Sequence, residues 1–269
     1  MKPRKSTDGA NKHKAIILYA EPKVGKTKWS DTMPSPILRI NAVVEYDGEE
    51  SLPADSESIS LDIDSYADLY MVTVALCAAY GIDYKLSADE DKIVRADIDA
   101  DATKKLAEQI KKMKLTSVVW DSFVALQGYM KVHSLEHNPK AGNGFELWGD
   151  VLSMTQYHLN RWMRLPLHKC FTTLVDHTRD EETGKEIHFP LFLGKATYKI
   201  FPPMVSVIAR LVKGKEEWEP NHDRYVQIAT ANNYVCGARG AGVDTPDLLP
   251  ANLSMMLETL YDIKGENNS

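Results

Sequence analysis

Cysteine is scarce in this chain. Cys77, Cys170 and Cys236 stand far apart in 269 residues. That spacing offers neither a disulfide framework nor the paired ligands of a zinc site, and it points to reduced, buried thiols in a cytosolic protein. Long apolar runs are missing too: none approaches the roughly 20 residues that a bilayer-spanning helix requires. No membrane association is expected. The basic start, Met1-Lys2-Pro3-Arg4-Lys5, has no apolar segment behind it of the kind a secretory signal carries, so export is not expected either. Internal repeats and low-complexity stretches are absent as well. What is present is 43% hydrophobic and 26% charged residues, an ordinary soluble composition with length for one large or two small domains.

Positive charge is almost missing from one stretch. Residues 45–101 hold 16 of the 38 acids but only Lys85, Lys92 and Arg95 among the 32 bases, a local balance of −13 against +7 for the remainder. An acidic lobe beside a mildly basic body leaves room for a polyanion on the body, without requiring one.

The strongest motif begins after an apolar run, Ala15-Ile16-Ile17-Leu18-Tyr19, and reads Ala20-Glu21-Pro22-Lys23-Val24-Gly25-Lys26-Thr27. A strand, a loop, Gly-Lys-Thr and a helix in that order make a phosphate cradle. Successive backbone N–H groups and a helix N-terminus face an anion. Lys26 would reach the β- and γ-phosphates, the Thr27 hydroxyl would ligate Mg²⁺, and Glu21, Pro22, Lys23, Val24, Gly25 and Lys28 complete the loop. Ala20 replaces the usual first glycine, which is tolerable where φ stays negative. A lysine-bearing turn is the bland alternative.

Two carboxylate sites narrow the chemistry. Asp121 closes the apolar strand Ser117-Val118-Val119-Trp120-Asp121, where an acid can hold Mg²⁺ beside Thr27; otherwise it caps a turn. Asp47-Gly48-Glu49-Glu50 follows a second strand near Ile37 to Glu45. An acid there could orient the water that attacks a γ-phosphate, or the turn could be a solvated acidic loop.

Other elements follow from periodicity. Helices are predicted over 66–80, 101–114 and about 252–261, with a long one after Gly142 and Gly144 that Pro166 ends. Residues 83–100 read as a charged connection. Strands are predicted at 169–175, 205–212 and 225–229, with a hairpin turning at Thr183-Gly184. Strands alternating with helices imply an α/β fold, a mostly parallel sheet flanked by helices. Asp97, Asp99 and Asp101 with Glu108 imitate a calcium loop, but Ala102 stands where that loop needs glycine. His133 and His137 could share a helix face, with no third metal ligand in sight.

The segment Asp47-Gly48-Glu49-Glu50-Ser51-Leu52 resembles the Asp-Ala-Glu-His-Ala-Leu segment of RecA-type recombinases. The stretch Ser117-Val118-Val119-Trp120-Asp121-Ser122-Phe123-Val124-Ala125-Leu126 is similar to their Val-Val-Asp-Ser-Val-Ala-Ala-Leu strand. The chain also resembles the compact phage nucleotide-binding ATPases of the RecA-like, Sak-type single-strand annealing group, in size and in Gly194-Lys195-Ala196-Thr197. The resemblance covers roughly 14–262. It implies a RecA-like P-loop NTPase core with a late β-hairpin, a flexible arm over 1–13, an acidic insertion over about 53–100 and a flexible tail over 263–269. It implies ATP and Mg²⁺ as cofactors, Glu49 as catalytic glutamate, Lys26 on the phosphates, Thr27 and Asp121 on the metal, and His177 as sensor of the γ-phosphate. An imidazole can donate to a phosphate oxygen; His177 could equally be a strand-end residue bonded to backbone.

RecA-type proteins hold single-stranded DNA in loops after the sensor strand. The corresponding stretch here carries His188, Phe189 and Phe192 among Lys185, Lys195 and Lys199. Rings can stack bases and lysines can neutralise phosphates, although Asp180-Glu181-Glu182 opposes this and a self-packed hairpin is the alternative. The resemblance further implies a homo-oligomer, ring or filament, in the bacterial host cytoplasm, with a single-strand DNA-binding protein as a further candidate partner. One departure stands out. The run Ala229-Thr230-Ala231-Asn232-Asn233-Tyr234 lacks the basic residues that reach a neighbour's γ-phosphate in that family. Three functions therefore compete: a recombination or annealing ATPase, a nucleotide-gated binding module with little turnover, and a small-molecule phosphotransferase.

Overall fold

A computed structural model describes residues 13–43, 52–139, 144–181, 183–214, 224–240 and 244–263. The first apolar run forms β1 (Ala15–Ala20), buried at every position, and leads through the phosphate loop into the short helix α1 (Lys26–Ser30). A strand apolar on both faces must be covered on both, which suits the centre of a parallel sheet. There follow β2 (Ile37–Ala42), β3 (Ile59–Ile63), α2 (Tyr66–Ala79), α3 (Ala88–Val94), α4 (Ala100–Met113) and β4 (Ser117–Asp121). Next come α5 (Phe123–His137), α6 (Phe145–Trp162), β5 (His168–Arg179), β6 (Glu186–Pro190), α7 (Lys195–Ile200) and β7 (Val207–Lys213). The described chain ends with β8 (Arg224–Gln227), β9 (Gly237–Ala238), β10 (Leu248–Pro250) and α8 (Leu253–Tyr261).

The sheet runs β10-β8-β7-β1-β5-β4-β2-β3. From β7 to β3 every neighbouring pair is parallel; β8 and β10 continue it antiparallel, and β6 pairs antiparallel with β5 as a hairpin. Alternate side chains feed two cores. Ile17, Leu38, Ile40, Val118, Trp120 and Phe171 join the residues of α2, α5 and α6. Ile16, Leu18, Val119, Cys170 and Val207 join those of α8. This is the expected α/β fold with a mostly parallel sheet between helices and a hairpin late in the chain.

The structure adds three elements that the sequence reading lacked, α3, α5 and β3, and it gives the acid spacing near Asp99 a structural role. Residues 83–100 contain α3, started by a capping box in which Ser87 and Glu90 satisfy each other's backbone N–H. The stretch 123–137 is the helix α5, which brings His133 and His137 to a ring separation of 4.0 Å. The acidic stretch supplies the edge strand β3, paired with β2, ahead of α2, which lies where a helix was predicted and is buried around much of its circumference. Asp99 caps α4 by accepting from the N–H groups of Asp101 and Ala102, which accounts for the acid spacing there.

Candidate nucleotide-binding site

In a parallel sheet all strand ends of one kind lie along one edge, and loops there can share a site. Ala20, the last residue of β1, pairs with Leu174 of β5, and Asp121, the last of β4, pairs with Asn41 of β2. The phosphate loop and the acid at the end of β4 therefore share one edge, separated by the single strand β5.

The loop leaves β1 after Ala20, the last residue of the strand, whose extended backbone accommodates a methyl group. Lys23 takes a positive φ of 63° and Gly25 one of 99°. The second value is open to glycine at little cost, and it turns the chain into α1. That helix has only five residues, so the backbone N–H groups of the loop and the lysine supply most of the attraction for an anion, rather than a helix dipole. Lys26 Nζ donates to the Glu21 carbonyl at 3.4 Å, folded along the rim of the cradle. Arg224 of β8 donates from Nε to the Val24 carbonyl at 3.1 Å and braces the loop from its far side.

Behind the loop lies a buried polar cluster. Arg39 is 0% exposed, and Nη1 donates to Asp121 Oδ2 at 3.1 Å and to Ser30 Oγ at 2.9 Å. Nη2 donates to the Thr27 carbonyl at 3.2 Å and to Asp31 Oδ1 at 3.3 Å. The other oxygen of Asp121 accepts from the hydroxyl of Thr172, itself 0% exposed in β5. Thr27 and Asp121 are thus linked through one guanidinium. A hydroxyl and a carboxylate are hard oxygen donors, so the residues present fit Mg²⁺. Of these contacts, Arg39 had a visible signal: a charge inside Ile37-Leu38-Arg39-Ile40 demands a buried partner. Thr172 and Arg224 had none.

The other sequence candidates are distributed as follows. Glu49 lies outside the described residues. His177 sits on β5 three residues beyond Leu174, opposite His188 in the hairpin; it is exposed, with Nε2 at 3.7 Å from Glu186. Of the family of rings proposed for stacking, Phe192 is 8% exposed, between Phe123, Tyr198 and Phe201. Its faces are committed to the core, so it does not present a base-stacking surface. Phe189 is half-buried with its ring against Tyr198. His188 stacks on Tyr234 at 4.3 Å, and the Arg210 guanidinium covers the same tyrosine at 3.2 Å. Lys185, Lys195 and Lys199 are exposed, the last two one turn apart on α7. Within Gly194-Lys195-Ala196-Thr197, Thr197 is buried and bonded to Gln127, whose amide also holds both backbone groups of Leu193. That segment anchors α7 to α5.

No family model matches the chain, and no curated protein matches it. Solved structures do. An ATPase from the type III secretion system of pathogenic bacteria aligns with a TM-score of 0.43 at 14% identity, over 78% of this chain and 53% of the other. The chain spans about half the length of that ATPase. The RadB recombinase aligns with a TM-score of 0.38 at 14% identity, over 80% and 79%. The flagellar accessory protein FlaH from Methanocaldococcus jannaschii gives 0.32 at 10%, over 80% and 76%. Similarities this distant leave the function of the chain to its own residues.

Proposed function

We propose that this chain is a RecA-like ATPase that binds Mg·ATP in the loop between β1 and α1 and acts on single-stranded DNA as an oligomer. One observation carries the nucleotide half of this reading: the phosphate loop and Asp121 open onto the same sheet edge, tied together by Arg39. In this reading the backbone N–H groups of the loop from Lys23 to Thr27 and the Lys26 ammonium bind the phosphates. Thr27 and Asp121 hold Mg²⁺, which when bound neutralises phosphate charge. Glu49 would orient the attacking water, and His177 would report on the γ-phosphate end through the hairpin.

The DNA half is supported by the resemblance to RecA-type and phage annealing proteins, and by the exposed lysines of the hairpin and α7 beside partly exposed rings. Phosphates would pair with Lys185, Lys195 and Lys199, and His188 and Phe189 would offer ring surface. Filter binding of a labelled oligonucleotide tests it. ATP-dependent retention that weakens steeply with salt is expected; retention indifferent to both ATP and salt overturns it.

A nucleotide-gated module with little turnover is the second reading, favoured by the absence of basic residues in 229–234. Glu49→Gln separates the two. Under the ATPase reading it retains ATP binding and slows hydrolysis by about 10²-fold or more. An unchanged slow rate supports the gated module.

A further inference from the structure

Arg39 is a cation in the middle of an apolar strand. Burying it is costly unless its donors meet acceptors in good geometry. Four acceptors meet it, and they come from two parts of the molecule. Thr27, Ser30 and Asp31 belong to α1 and its end, whereas Asp121 closes β4. Nε has no hydrogen-bond partner among the described residues, so the grip is exercised by the two terminal nitrogens. Two of the four acceptors lie on the residues whose oxygens fit a divalent cation. Of these two residues, Arg39 touches the backbone carbonyl of Thr27 and the carboxylate of Asp121.

We infer that Arg39 is a positioning residue for the divalent ion, setting the spacing of Thr27 and Asp121 through one planar guanidinium. The inference rests on the nucleotide reading above. Mg²⁺ tolerates little error, because it requires near-octahedral oxygen ligands at about 2.0–2.1 Å. A guanidinium is a rigid fork and holds two directions at once. The phosphate contacts are separate from this device, since the loop N–H groups and Lys26 need no help from Asp121. Losing the fork should therefore remove the gain in affinity that Mg²⁺ brings, and spare metal-free binding.

The test is calorimetric titration of the full chain with ATP, once in EDTA and once in excess Mg²⁺. Arg39→Lys keeps the charge but replaces the fork with a single ammonium. It is expected to bind ATP in EDTA much as the unaltered chain does, and to lose about tenfold or more of the Mg²⁺-dependent gain, the scale of one charge-assisted hydrogen bond. Asp31→Ala, which removes one anchor of Nη2 away from the metal acid, should lose a smaller part of the same gain. It carries the test if Arg39→Lys fails to fold. An unchanged gain in a folded variant overturns the inference, as does an equal fall in EDTA and in Mg²⁺, which would mark a role in stability alone. If the unaltered chain binds no ATP, the nucleotide reading falls and takes this inference with it.

Discussion

Thr172 donates its hydroxyl hydrogen to Asp121 from the strand that separates the acid's strand from the phosphate loop's strand. Both residues are buried, so the hydrogen bond fixes one carboxylate oxygen while Arg39 holds the other. Thr172→Val keeps the shape and removes the donor. It is expected to cost about 1–3 kcal/mol in urea denaturation, the scale of a lost hydrogen bond to a buried charged group. Thr172→Ser should recover most of the loss. A Val variant as stable as the unaltered chain would show that the bond contributes nothing.

Acid should destabilise the fold through His158. This imidazole is buried among Thr73, Tyr66 and Trp162, with Nδ1 at 2.9 Å from the Thr73 hydroxyl and Nε2 at 3.3 Å from that of Tyr66. Burial, and secondarily the nearby Arg161, push its pKa down to about 3. In the unfolded chain the value is about 6.5. Between these values the unfolded chain carries a proton that the folded chain excludes, so stability falls as pH drops from about 6.5 towards about 3. His158→Gln cannot titrate, and its stability should decline less over that window. Parallel pH profiles for the two chains would contradict this origin.

Phe192 and the α7 lysines should separate folding from DNA binding. Phe192→Ala empties a buried aromatic cluster and is expected to lower stability by about 3–5 kcal/mol. Lys195→Ala with Lys199→Ala touches only exposed side chains. This pair should leave the melting temperature nearly unchanged while lowering oligonucleotide affinity and flattening its salt dependence. Equal oligonucleotide binding by the double variant would remove α7 from the proposed interface.

Much of the fold was legible because one signal dominated each element. The wholly apolar β1 and β4, the Gly-Lys-Thr sequence and the three- and four-residue steps of α6 all point one way. The strand β3 was equally readable in Ile59-Ser60-Leu61-Asp62-Ile63, where apolar and polar residues alternate. It was obscured by the acidic composition around it. Helix α5 hides because it is packed on several sides, with polar Gln127, His133 and Ser134 among its buried residues. At the site, the sequence marks the loop and the strand-end acid, since each carries its own local pattern. The partners of Arg39, Thr172 and Arg224 lie 8 to 200 positions away; the charge of Arg39 inside an apolar strand signals a buried partner, but local pattern does not say which.

Calorimetric titration of ATP in Mg²⁺ into the unaltered chain and into Lys26→Ala tests the central claim most directly. Saturable heat near one site per chain, lost in Lys26→Ala, is the expected result. No heat with the unaltered chain, or the same isotherm after Lys26 is removed, would contradict a triphosphate seated between β1 and α1.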